Sequence, residues 1–104
     1  MTRSSTAQEA LARATELYER GNESVDSLRY FEAVTFFRLA RDAFMEVERP
    51  HSSIEYARCL ANLALSLDAL DEHDEARDLY EASLTAIGRY ERHHPTDRLR
   101  CLRD

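Results

Sequence analysis

Apolar residues recur at spacings of three and four along nearly the whole chain, the period of an amphipathic helix rather than a strand. The first such segment spans residues 6–20, with Ala7, Ala10, Leu11, Ala14, Leu17 and Tyr18 on one stripe. Thr6 followed by Glu9 has the spacing of a capping box, in which hydroxyl and carboxylate each satisfy an orphan N–H. Gly21-Asn22 tolerates the left-handed conformation and marks the expected end of this helix, with a polar connection over residues 22–27. A second helix is expected over residues 27–48. Leu28, Phe31, Val34, Ala40, Phe44 and Val47 form its stripe, which Tyr30, Ala33, Phe36 and Phe37 widen. So broad an apolar arc needs cover on two sides. Pro50 stops this helix, because proline cannot donate the next backbone bond.

Ser52 with Glu55 repeats the capping-box spacing and opens a third helix over residues 53–70, with Tyr56, Leu60, Leu63, Ala64, Leu67 and Leu70 inward. Residues 71–74 form a turn. A fourth helix then runs to about His93, with Ala76, Leu79, Tyr80, Ser83, Leu84 and Ile87 on its apolar face. Pro95 ends it, and Thr96 caps a short fifth helix over residues 96–104. The two halves echo one another. Ala33, Phe37 and Ala40 lie 43 residues before Ala76, Tyr80 and Ser83, and Arg58-Cys59-Leu60 returns 42 residues later as Arg100-Cys101-Leu102. A repeat of this length with two helices per unit predicts an all-α fold of stacked antiparallel helix-turn-helix units. Unit one covers about residues 6–50 and unit two about 51–93, within a single domain. The small residues Ala33, Ala64 and Ala76 suit close helix crossings.

These motifs make the chain resemble the tetratricopeptide repeat family, in the longer form found in kinesin light chains. Unit two carries the likeness in Cys59-Leu60-Ala61-Asn62-Leu63-Ala64, Asp74-Glu75-Ala76, Leu79-Tyr80-Glu81, Leu84 and His94-Pro95. Unit one matches more loosely through Leu17-Tyr18, Gly21, Glu32-Ala33 and Phe37, with about six extra residues around 22–27. The resemblance implies a right-handed stack whose first helices line a concave groove for peptide segments. Groove positions carried over to this chain are Gln8, Leu11, Ala12, Thr15 and Glu19, then Arg58, Ala61, Asn62, Leu65 and Asp68. Asn62 matches the family asparagine that bonds a peptide backbone, as an amide with both donor and acceptor can. Arg58, and Arg100 one repeat on, are placed to pair with a ligand carboxylate. Leu11, Thr15 and Asp104 stand where a full carboxylate clamp needs basic or amide groups, so no such clamp is expected.

Composition narrows the chemistry. The 104 residues carry 14 basic and 20 acidic side chains, a net charge of −6, which argues against nucleic-acid binding. Every basic residue is arginine, so Schiff-base lysine chemistry and a P-loop are excluded. No apolar run approaches the ~18 residues of a membrane span. Cys59 and Cys101 form no disulfide framework, and residues 1–6 lack an apolar leader; a cytoplasmic protein with reduced thiols is expected. Asp71, Glu72, Asp74, Glu75 and Asp78 crowd around His73, but without the glycine and ligand alternation of a calcium loop they read as acids at a helix start. Glu91 and His94 form one E-x-x-H pair where a di-iron bundle needs two, so His93-His94 reads as a helix end. Cys59 reads as a core filler, and Phe36, off the main stripe, as an exposed contact.

The sequence therefore predicts a non-catalytic protein–protein interaction module that needs no cofactor or metal. Its binding residues would be Gln8, Thr15, Arg58, Asn62, Leu65 and Arg100, and its partner a protein or peptide. The alternative is a structural scaffold. Two units without a polar terminal helix leave an apolar end, and residues 96–104 look too short to seal it. The chain would then form a homo-oligomer end to end, or be part of a longer solenoid.

Overall fold

The computed structural model describes residues 3–47 and 54–93. Four helices follow one another: α1 (Arg3–Asp26), α2 (Tyr30–Met45), α3 (Ile54–Ala69) and α4 (His73–His93). Each packs against its neighbour in sequence, and α1 also meets α3. The fold is all-α, an up-and-down series of helix pairs.

The two turns within the pairs are one structure used twice. After α1, Leu28 adopts φ 61°; after α3, Asp71 adopts φ 67°. The Leu28 N–H donates to the Val25 carbonyl and the Arg29 N–H to that of Ser24. Forty-three residues on, the Asp71 N–H donates to Asp68 and the Glu72 N–H to Leu67. These nested bonds are a Schellman ending, which satisfies the last carbonyls of each first helix and reverses the chain. The core repeats with the same phase. Ala14 and Ala57, Ala33 and Ala76, Ala40 and Ser83, and Ala43 and Ala86 are all buried.

The first helix is longer than its punctuation suggests. It begins at Arg3, so Thr6 lies inside it and not at its cap, and it runs through Gly21-Asn22 to Asp26. Gly21 serves a crossing rather than an ending. A Cβ there would fall 2.5 Å from Cε1 of Phe37, so only glycine lets α2 come this close. The residues read as an extra polar connection are thus the last turns of α1, and the pairs match without an insertion. Helix α2 accordingly starts at Tyr30 rather than at residue 27. Leu28 and Phe31, expected on its inner stripe, are exposed, while Ala33, Val34, Phe37, Ala40, Ala43 and Phe44 form the buried face. Pro50, Ser52, Pro95, and the fifth helix with Arg100 and Cys101 lie outside the described residues.

The main core joins all four helices, with Ala14 from α1 and Ala76 from α4 beside the larger contributions of α2 and α3. Phe37 lies against Tyr18 of α1, ring centroids 6.1 Å apart, and Phe44 meets Tyr56 of α3 edge-on at 6.2 Å. Cys59 is fully buried among them, and its Sγ–H donates to the Phe37 carbonyl at 3.3 Å. Fully burying a phenylalanine of this kind contributes roughly 1.5–3 kcal/mol.

The two ends of the stack differ in character. Cys59, Leu63 and Ser66 are three of the fully buried residues of α3. Their counterparts 43 residues earlier, on the outer flank of α1, are Glu16, Arg20 and Glu23, all exposed. At the other end, Phe37, Arg41 and Phe44 correspond to Tyr80, Leu84 and Ile87 of α4. Tyr80 is 39% and Leu84 69% exposed. One end of the stack is polar and the other apolar.

Candidate functional site

Helices α1 and α3 present a shared face, fixed by a hydrogen bond between their side chains. Asn62 Nδ2 donates to Asn22 Oδ1 at 2.8 Å, and both residues are half-buried. On α1, Gln8, Leu11, Thr15, Glu19 and Asn22 follow at spacings of three and four, so they form one stripe. On α3, Arg58, Asn62 and Leu65 do the same. Leu11 is 40% and Leu65 43% exposed, which places apolar surface on both sides of the amide pair. Ala61 is half-buried, while Ala12, Glu19, Arg58 and Asp68 are exposed.

The structure thus gathers Gln8, Thr15, Arg58, Asn62 and Leu65 on the α1 and α3 stripes, and Arg100 lies outside the described residues. Asn22 is the residue that the sequence pattern missed. Read as part of a loop, it instead sits on α1, one turn beyond Glu19. The signal was available: Gly21 stands 12 residues before Ala33, as Ala64 stands 12 before Ala76, and Ala64 is mid-helix.

Two side-chain bonds to backbone carbonyls, one from the buried Ser66 and one from Thr15 on the face itself, tie the backbone here. Ser66 Oγ donates to the Asn62 carbonyl at 2.9 Å, and Thr15 Oγ1 to the Leu11 carbonyl at 2.9 Å. Within the amide pair, one donor and one acceptor are consumed. Among the described residues nothing else engages Asn22 Nδ2 or Asn62 Oδ1, which together offer an N–H and a carbonyl oxygen, the complement of a peptide unit.

The remaining polar clusters are ion pairs and hydrogen-bonded groups. His73 opens α4 and bonds Asp68 through Nδ1, with Asp71 Oδ1 3.6 Å from Nε2. That bond to Asp68, with the charges of Asp68, Asp71 and Asp74, raises the imidazole pKa above its ordinary value. Among the described residues no group of three or more His, Cys, Asp and Glu has the geometry to hold a metal ion. An open groove of about 590 Å³ lies on the polar flank of α1 and α2. Glu16, Glu19, Arg20, Glu23, Arg29 and the half-buried Phe36 are among its lining residues. Arg20 is held by Glu16 at 3.2 Å and Arg29 by Glu32 at 3.6 Å. Between the units, Arg38 of α2 grips both carboxylate oxygens of Glu75 on α4, at 3.0 and 2.9 Å. Cys59 is fully buried, and burial pushes its thiol up to about 12, against a smaller opposing effect of Arg41.

No helix among the described residues is long and apolar enough to cross a membrane. Comparison with known proteins found no matching family model, curated protein or solved structure.

Proposed function

We propose that the chain is a tetratricopeptide-like protein-interaction module, working in the cytoplasm, that holds an extended peptide segment along α1 and α3. The observation that carries this reading is the Asn22–Asn62 bond, which joins the two helices and leaves an amide N–H and a carbonyl oxygen side by side. A peptide backbone running between the helices meets both. Leu11 and Leu65 supply apolar contact beside the amides, and Arg58 adds a fixed cation for an acidic side chain. Because the amides are already tied to each other before a partner arrives, little ordering entropy opposes binding. This module does no chemistry.

A displayed library of random linear peptides, selected on the wild-type chain, tests the reading. Selected peptides are expected to lose at least about tenfold in affinity when Asn62→Ala removes the amide, which corresponds to ~1.4 kcal/mol. Arg58→Glu is expected to weaken mainly peptides with acidic side chains. Circular dichroism would verify that both variants keep their helices. Peptides that bind the variants as tightly as the wild type, or a library that yields no binder, would overturn the assignment of this face.

A further inference from the structure

The seat between α1 and α2 recurs between α3 and α4, and there the molecule shows what fills it. Helix α2 lies over the second seat. Cys59 of α3 donates to the Phe37 carbonyl, and Arg38 holds both carboxylate oxygens of Glu75 on α4. Arg41, nearly one turn further along α2, is close enough to Cys59 for its charge to act on that thiol. The occupant of the second seat is thus a segment that brings arginines, one of them clasping a carboxylate. Glu75 corresponds to Glu32 of the first seat, 43 residues earlier.

The first seat is the open groove of about 590 Å³, a volume within the ~300–1,000 Å³ of ligand sites. Its chemistry has changed: Glu19, Glu23 and Ser24 stand where unit two has Asn62, Ser66 and Leu67. Four glutamates and two arginines line it, a surplus of two negative charges. Both arginines are engaged, Arg20 with Glu16 and Arg29 with Glu32. Glu19 and Glu23 have no ion pair among the described residues, and they sit one turn apart on α1, where like charges repel. Ser24 is only 7% exposed, and its proton goes to the Arg20 carbonyl at 3.1 Å, so its oxygen can only accept. These three groups are acceptors, and the half-buried Phe36 adds aromatic surface beside them. A guanidinium, with five N–H donors, no acceptor and a plane that stacks on aromatic rings, is their complement.

We propose that this groove docks an arginine-bearing segment of a partner protein, with Glu19 and Glu23 holding a guanidinium and Phe36 lying against its plane. From Glu16 to Ser27 is eleven residues, about 16 Å along α1, which gives room for roughly five residues of extended chain. The groove therefore takes a segment rather than a lone side chain. A second copy of this chain fits badly. Stacked as α2 stacks on α3, its α4 would bring Glu81 where α2 brings Arg38, and would set like charges together. The net charge of −6 draws cationic partners towards the surface in general, and the unpaired glutamates hold them here. This docking does not depend on the amide pair of the α1 and α3 face.

Titration of the nitrogen-15-labelled full chain with a capped Gly-Arg-Gly-Gly-Arg-Gly peptide, followed by NMR, provides the test. Its arginines have the spacing of Arg38 and Arg41. Saturable shifts are expected at the amides of Glu19, Glu23 and Ser24 and, on α2, of Glu32 and Phe36. The same peptide with the uncharged citrulline in place of arginine should give none. Glu19→Gln combined with Glu23→Gln should weaken binding at least about tenfold. Phe36→Leu, which keeps the bulk and loses the aromatic face, should weaken it about threefold. The amide spectrum of each variant verifies that it is folded. A silent titration, or equal affinity in the double variant, would overturn the proposal. Shifts of the same size among the acids around His73 would reduce it to bulk charge, and shifts at Arg58 and Asn62 without Glu32 and Phe36 would move the site to the other face. Spermidine binding the same amides as tightly would replace the protein segment by a polyamine.

Discussion

Phe37 occupies the space that a side chain at position 21 would need. A Cβ added to Gly21 would lie 2.5, 2.6 and 2.8 Å from three carbons of the ring, closer than packed atoms approach. The ring itself is fully buried and touches Tyr18 as well, so it has no room to swing away. This contact sets how closely α1 and α2 cross.

Two glycine-to-alanine changes should therefore have opposite signs. In an exposed helix interior this change stabilises by roughly 1 kcal/mol, because alanine has the better helix propensity. Gly88 lies in α4, where an added methyl group would meet nothing within 4 Å, and Gly88→Ala should raise the melting temperature. Gly21→Ala should lower it, since overpacking costs about 1–3 kcal/mol and outweighs the propensity gain. Thermal unfolding of the two variants by circular dichroism checks both signs at once.

Leu28 is a second site of legible strain. It holds φ 61° while 71% of it remains exposed. A leucine in the left-handed region is disfavoured by roughly 1–2 kcal/mol, and it gains little burial in return. The matching position of unit two holds Asp71, a residue type that tolerates this conformation. Leu28→Asn should stabilise the protein by about 1 kcal/mol, visible as a melting temperature higher by roughly 4–8 °C. No change, or a decrease, would mean that the exposed leucine has a contact of its own.

Cys59 gives the fold an alkaline limit. Its folded pKa is raised to about 12 from an ordinary 9.0, chiefly by burial. A raised folded pKa contributes stability that is fully present below pH 9 and is lost as pH climbs from 9 towards 12. Urea midpoints measured across that range should fall less steeply for Cys59→Ala than for the wild type. At pH 8, iodoacetamide should leave Cys59 unmodified until the chain unfolds, as read by peptide mapping.

The sequence pattern located α3 and α4 to within a residue or two, because their apolar stripes are long and their turn falls among acids. It placed the end of α1 six residues early for a physical reason. A glycine-asparagine pair has the same local signature whether it caps a helix or admits a neighbouring ring, and only Phe37, 16 residues away, distinguishes the two. The same error hid Asn22 from the candidate face, although Asn62, Arg58 and Leu65 were legible from the spacing within α3. Leu28 and Phe31 misled for the converse reason: their spacing continues the stripe of α2, yet Leu28 sits in the Schellman turn before that helix begins, and Phe31, in its first turn, faces outward.

The unlike ends of the stack also give the architecture a direction of growth. A duplicated helix pair inserted after α4 would find an apolar row waiting for its first helix. The same pair fused ahead of α1 would have to pack on Glu16, Arg20 and Glu23, and would fail unless all three changed together. Lengthening by tandem duplication, in evolution or in the laboratory, is therefore easy in one direction only, and a lengthened descendant would keep its acidic first helix at the front.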